Sequence, residues 1–304
     1  MPSTDSNLGI EQSFTNRGKP GSKGSLFKAI WKVRGRIAAY LVIFFYLLIA
    51  LFPLYWMFLT GIKPNAEIYS QRPTYIVQHP TLEHFQAIIK GRPTLFYFRN
   101  TAIIALATTF LCIGVGTIAA YGFAKYRFKG SNFILFSILA MRIFPPIALI
   151  VPLYFMISNI HLIDTVQGLI IVNLYLTLPF YIWIMRGFFQ TLPKELDEAA
   201  RIDGCSRMQA FRRVMLPISF PGMAAAAIIT FMWTWNEFLF GMILSVTPAA
   251  KNISVGTVDF ITDLNISWGQ MSIYGFLACL PAFIFVIIFQ RYIVKGLTAG
   301  AVKG

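Results

Sequence analysis

TLPKELDEAARIDGCSRMQAFRRVMLP, residues 191–217, is a charge-rich stretch between two apolar runs, and its chemistry is that of two short helices around a glycine. Pro193 suits a first helical turn, where its missing N–H has no partner to lose. Glu195, Asp197 and Glu198 follow at the positive end of the helix dipole. Gly204 accepts the left-handed backbone that ends a helix. Ser206 with Gln209 three residues on makes a capping box for a second helix, with Phe211 and Val214 on one face and Pro217 as its stop. In the first helix Leu196, Ala199 and Ala200 form a narrow apolar stripe whose small side chains let another backbone come close. Two readings are open: a docking surface for a partner protein, or an amphipathic helix resting on a membrane surface, which Arg207, Arg212 and Arg213 would suit.

The flanks on either side are apolar enough to cross a bilayer. Of 304 residues 57% are hydrophobic and 12% charged, against roughly 25% charged in a soluble domain, and the mean hydropathy is +0.65. A spanning helix needs about 20 mostly apolar residues. Six runs qualify: 37–59, 101–124, 132–157, 166–189, 219–244 and 272–294. The predicted fold is therefore all-α and integral to a membrane, with six spans. Lys and Arg number 7 in 1–36, 3 in 125–131, 6 in 186–217 and 3 from 291 onward, 19 on one side. The opposite segments hold 5 in 60–100, none in 158–165 and 1 in 245–271, and Arg142 lies inside the third span. The positive-inside rule then places both termini and residues 191–217 in the cytoplasm.

The organisation that follows is a basic tail over 1–36 without an apolar stretch, expected to be disordered rather than a signal peptide, a six-span domain over 37–294, and a cytoplasmic tail over 295–304. Tyr69, Tyr75, Phe85, Phe96, Tyr97 and Phe98 give the outer segment 60–99 enough aromatic surface for a cap at the membrane interface, whether as an anchor or as a lid. The net charge of +14 fits cytoplasmic retention of basic loops, so no nucleic acid is expected. Cys112, Cys205 and Cys279 lie far apart, and His79, His84 and His161 fall in connecting segments without ligand spacing. They read as packing thiols and solvated histidines, with no metal site.

The residues Glu198, Ala199 and Ala200, then three residues, Gly204, nine residues, Val214, one residue, and Leu216 with Pro217 resemble the EAA signature of ABC importer permeases, Val214 replacing the usual isoleucine. RIFPP at 142–146, EAARIDG at 198–204, TWNEFLFG at 234–241 and GLTAGAVKG at 296–304 resemble the carbohydrate-uptake branch, specifically the second permease of maltose-type systems. The resemblance implies a type I importer fold in a bacterial or archaeal plasma (inner) membrane. It makes Glu198, Ala199, Ala200, Asp203, Gly204, Leu216 and Pro217 the segment that docks on an ATPase subunit and transmits its motion. Its implied partners are two ATP-binding subunits, a second related permease and an extracytoplasmic solute-binding protein, and the ending 296–304 reaches the ATPase subunits. The implied solute is a di- or oligosaccharide or related polyol, moved by alternating access. No GxxxxGK[ST] loop occurs, so ATP and Mg belong to separate polypeptides and the chain carries no cofactor and no catalytic residue. The alternatives are a non-sugar solute, or an ion-driven transporter, which would need internal repeats and leaves the EAA segment unexplained.

Candidate residues for the solute path follow from depth. Arg142 lies 11 residues into its span, about 16 Å from the inner end, and an ionised side chain there costs about 2.5–3.5 kcal/mol unless it faces water or a partner. Pro145, Pro146 and Pro152 should bend or break the span beside it. Trp233, Asn236, Glu237 and Phe240 are spaced as one helical face, an aromatic plate beside amide and carboxylate, and Asn173 and Tyr175 lie at similar depth. Each could line a path or brace the helices, and Arg142 could pair with Glu237.

Overall fold

The computed structural model describes the backbone over residues 22–126 and 128–301 and side chains over 35–126 and 128–290. Most of the predicted basic tail and the last residues of the predicted C-terminal tail lie outside the described residues. The chain divides into two units, Met1–Tyr55 and Trp56–Gly304.

The first unit is the body of α1 (Ser22–Ile62), whose backbone is helical from Ser22, within the segment expected to be tail. Its residues after Gly35 are apolar on every face, with Tyr46 and Ile49 each 73% exposed. A helix without a polar face suits lipid or another membrane helix.

The second unit holds the remaining elements in the order the apolar runs anticipate. Two short helices, α2 (Asn65–Ile68) and α3 (Glu83–Lys90), lie in the first connecting segment. The second crossing is α4 (Thr94–Leu111), a π-turn over Cys112–Gly116, and α5 (Thr117–Lys125). The third is split between α6 (Ser131–Ala140) and α7 (Ile150–Asn159), and the fourth is α8 (Val166–Thr191). The charged segment folds as α9 (Glu195–Ile202), α10 (Arg207–Ala210), a π-turn over Phe211–Met215 and α11 (Leu216–Ile218). The fifth crossing is α12 (Phe220–Trp235) with α13 (Leu239–Leu244). After α14 (Ile253–Gly256) the sixth is α15 (Trp268–Ala301).

At the middle of this unit α12 packs on α4, α8 and α15. Its buried face includes Gly222, Ala225 and Ala226, and small residues of this kind let membrane helices approach closely where no water drives them together. Phe231 stacks on Phe285 at 4.0 Å, and Trp235 donates its Nε1 hydrogen to the Ala278 carbonyl at 3.1 Å. Between α5 and α8, Gly116 allows Tyr181 to close in: a Cβ there would stand 2.5 Å from the Tyr181 ring. Tyr181 is fully buried and shares a 2.9 Å hydrogen bond with Thr117.

Two crossings are broken. The prolines act in the third as expected: Pro145 is extended, the chain resumes as a 3₁₀ turn over Pro146–Leu149, and Pro152 sits in the first turn of α7, where proline is tolerated. The two pieces, at 10 residues each, are about 15 Å long apiece and span a bilayer only together. The fifth departs from the sequence reading, which has Trp233, Asn236, Glu237 and Phe240 on one continuous helical face. The helix stops at Trp235, Asn236 is its C-cap, and a new helix starts at Leu239.

A braced cap covers the end of the bundle formed by residues 60–99 and 245–271. Asn100 donates its side-chain amide to the carbonyls of Pro248, Ala249 and Lys251 at 3.0–3.1 Å. Asp259 accepts from Tyr97 and pairs with Lys251, both at 2.9 Å, and Tyr69 donates to the Ile266 carbonyl at 2.7 Å. His84 is not a solvated surface residue. It is 3% exposed, with Nε2 3.0 Å from the Lys63 carbonyl, because α3 packs against α15. Asp164 accepts from the amides of Val246 and Thr247. Partial burial pushes its carboxyl up, but those bonds, the Thr247 hydroxyl and Lys251 outweigh it and hold the group below its ordinary value.

Candidate functional site

The two breaks meet. Arg142 lies in the break of the third crossing, and its guanidinium carbon stands 4.2 Å from the Trp233 ring centroid and 4.9 Å from that of Phe180. The two rings lie 4.7 Å apart at 31°. A cation over an exposed aromatic face, as at Trp233, gains about 0.5–1 kcal/mol, which offsets part of the cost of holding Arg142 at this depth. Phe180 escaped the sequence reading. Its signal is its place seven residues after Asn173, on the same helical face.

Around this stack is a cavity of about 200 Å³ whose lining includes Arg142, Asn173, Tyr175, Trp233 and Glu237. Five of the six candidate path residues are thus brought together. Asn236 is not among them: it is turned toward a separate hollow between α12 and α15, and its side chain donates to the Met232 carbonyl of its own helix at 2.8 Å. Its backbone N–H still bonds to the Met232 carbonyl at 3.2 Å, so Asn236 keeps its helical position at the edge of the face, on the side toward Met232.

Glu237 and Arg142 border the same cavity, yet among the described residues the only ion pair is Lys251–Asp259. The Glu237 carboxylate is engaged elsewhere, accepting from the amides of Phe240 at 2.7 Å and Gly241 at 3.0 Å. A carboxylate at that point satisfies the unpaired N–H groups that start α13. Its own carbonyl accepts from Asn252 at 2.7 Å, which ties the break to the loop before α14. Asn173 bonds back to the Leu169 carbonyl at 2.9 Å. Arg142, with five N–H donors and aromatic rings rather than an acid beneath it, keeps the free donors of the cavity.

The charged segment forms largely as read. Gly204 has φ +86, and Cys205 donates to the Ala200 carbonyl at 3.0 Å across it. The Ser206–Gln209 capping box closes in both directions. Pro217 is not the stop. After a π-turn over Phe211–Met215, Pro217 falls in the first turn of α11, where its missing N–H is tolerated, the helix runs on to Ile218, and the chain then bends by 73° into α12.

The expected stripe divides. Leu196 packs on the cluster of Tyr121, Phe189 and Phe211, and Ala200 is 6% exposed, so both hold the segment to its own chain. Tyr121, from the end of the second crossing, donates to Asp197 at 2.8 Å and lies 4.8 Å from Phe211. Glu198, Ala199, Asp203 and Gly204 face outward. With them stands Ile202, 85% exposed, which the sequence reading overlooked although it lies three residues past Ala199 on the same face.

Residues 112–299 match the profile of the family described as binding-protein-dependent transport system inner membrane component. The chain is 34% identical over 84% of its length, and 93% of theirs, to two relatives: the trehalose transport system permease protein SugB of Mycobacterium tuberculosis and the trehalose/maltose transport system permease protein MalG of Thermococcus litoralis. Its fold is similar, with TM-score 0.71 at 21% identity over 86% of this chain and 96% of the other, to a subunit of a bacterial ABC transporter involved in the import of the acidic polysaccharide alginate. With the EAA segment, the broken crossings and these likenesses in agreement, the chain belongs to the family of ABC transporter permeases that form the inner membrane component of binding-protein-dependent transport systems.

Proposed function

We propose that this chain carries a sugar or related polyol through the membrane by alternating access, with Arg142, Trp233 and Tyr175 touching the solute, Phe180 supporting the guanidinium and Glu237 bracing the broken span beside it. The observation that carries the reading is the guanidinium seated on two aromatic rings where the two breaks meet. Sugars offer apolar ring faces to aromatics and hydroxyl oxygens to N–H donors. Irregular backbone at membrane depth is tolerated where it lines a cavity, and transporters place solute sites at such discontinuous helices. The names of the trehalose and maltose relatives support the solute class.

Energy enters from outside the chain in this reading. Two ATP-binding subunits, holding ATP and Mg, dock on Glu198, Ala199, Ile202, Asp203 and Gly204 from the cytoplasm, while Leu216 and Pro217 relay their motion into the fifth crossing. A related permease completes the pore and an extracytoplasmic binding protein delivers the solute. The chain itself catalyses nothing.

Uptake by proteoliposomes containing the whole complex tests the path, with maltose, trehalose, cellobiose and glycerol-phosphate diesters set against amino acids. Trp233→Ala and Arg142→Gln should each lower saccharide uptake about tenfold, the size expected for losing ~1.4 kcal/mol of solute contact, with the complex still assembled. Asn236→Ala, off the cavity, should stay within about twofold. Uptake of amino acids alone, or saccharide uptake indifferent to both cavity variants, overturns the proposal.

A further inference from the structure

Beside the charged segment lies a second and larger cavity, about 960 Å³, whose wall carries Lys125, Arg186, Lys194, Arg201 and Arg207. Asp197 and Glu198 are the acids on the same wall. Five cations against two carboxylates leave three positive charges in excess. Pairing does not absorb them, because among the described residues the only ion pair is Lys251–Asp259. Arg207 lies over the Tyr126 ring at 5.1 Å, and the Nε of Arg186 is buried without a hydrogen-bond partner. A buried, unpaired guanidinium N–H is costly and calls for an acceptor.

The position of the cavity narrows what the acceptor is. Lys125 ends one membrane crossing and Thr191 another, and the wall runs from these ends to α9 and α10. Phe123, in the last turn of its crossing, adds an apolar margin on the membrane side of Lys125. An occupant must therefore join an anionic group of several oxygens to an apolar body at the level where helices leave the bilayer. Basic pockets between spans on the cytoplasmic side meet both demands with anionic lipid.

We infer that this cavity binds the phosphate headgroup of an anionic phospholipid, phosphatidylglycerol or cardiolipin, whose acyl chains leave along Phe123. Arg186 and Arg201 donate to the phosphate oxygens, and Lys125 and Lys194 close the ring of charge. Since Glu198 and Arg201 belong to α9, the bound headgroup neutralises one flank of the segment that faces the ATPase and fixes its seat on the span ends. The inference rests on the proposed cytoplasmic side for residues 191–217 and is independent of which solute passes.

Native mass spectrometry of the whole complex, purified through a tag on this chain and delipidated in detergent, tests it. Phosphatidylglycerol added back should be retained, and phosphatidylcholine should not. Lys194→Gln with Arg201→Gln, both exposed, should lower retention about tenfold or more, and Arg186→Gln about fivefold, since each cation near an anionic surface contributes ~1 kcal/mol. Arg186→Lys with Arg201→Lys should restore most of it. Lys129→Gln, exposed and off the cavity, serves as the control. Retention equal in all variants overturns the inference. So does competition by millimolar inorganic phosphate without preference between the two lipids, which makes the occupant a soluble anion. Loss of the ATPase subunit with lipid retention unchanged also overturns it, because the cations then serve that protein partner.

Discussion

At Gly204 a single backbone angle carries the geometry of the charged segment. The residue has φ +86, and a Cβ placed there would meet nothing within 4 Å, so any substitution is penalised by conformation and not by space. That separation makes a graded test available. Gly204→Asn, which enters the left-handed region with local hydrogen bonding, should retain most solute-stimulated ATP hydrolysis in the reconstituted complex. Gly204→Ala should cost about 1–2 kcal/mol at the turn, and Gly204→Val more, because branching at Cβ crowds the same angle. Insertion of all six spans should be unaffected, since the turn lies outside them. Equal stimulation in all three variants would refute a role for the angle in coupling. Arg142 teaches the complementary lesson. Its depth and neighbouring prolines were legible in the sequence, whereas its partners were not, because the Phe180 and Trp233 rings come from two other crossings.

Among the elements, α9 has two faces with different tasks, and its two alanines separate them. Ala200 is 6% exposed, on the side of the helix that Leu196 seats on Tyr121 and Phe211, while Ala199 is exposed beside Glu198 and Ile202. Ala199→Arg should release the ATPase subunits during purification while the permease keeps its thermal midpoint. Ala200→Arg must push a charged chain into packed surface and should lower that midpoint by several degrees, with about 2 kcal/mol or more lost. Identical behaviour of the two variants would mean that α9 lies flat on lipid. From sequence the two alanines belong to one stripe, since period 3.6 identifies a face and does not say which side of it the rest of the chain covers. The capping box and the glycine turn were legible because both are local, each written within four residues. The break after Trp235 was not: apolar periodicity continues through Phe238 and Phe240, and what stops the helix is the Glu237 carboxylate capping the next one, together with Asn252 from a distant loop. The break in the third crossing, by contrast, is announced by proline, whose effect is covalent and needs no partner.

For the molecule as a whole, the decisive question is which side faces the cytoplasm, and charge provides the argument. Nineteen Lys and Arg residues fall in the segments that the six-span reading puts on the side of residues 191–217, and 6 in the opposite ones. Each cation carried across the bilayer is penalised, so the richer side stays inside. In the proposed topology six crossings return the chain to the side where it began, which puts the cap of residues 60–99 and 245–271 on the opposite side. Leu264 offers an internal marker, being 98% exposed in that cap next to the Ile261–Ile266 bridge. In a variant without native cysteines, Leu264→Cys should react within minutes with a membrane-impermeant maleimide added to spheroplasts. Ser3→Cys and Lys303→Cys should react only after the membrane is opened. Reaction at position 3 or 303 in sealed spheroplasts would reverse the orientation, and with it the proposed sites for ATPase and anionic lipid. Labelling at 264 alone, before permeabilisation, is the result that the distribution of basic residues requires.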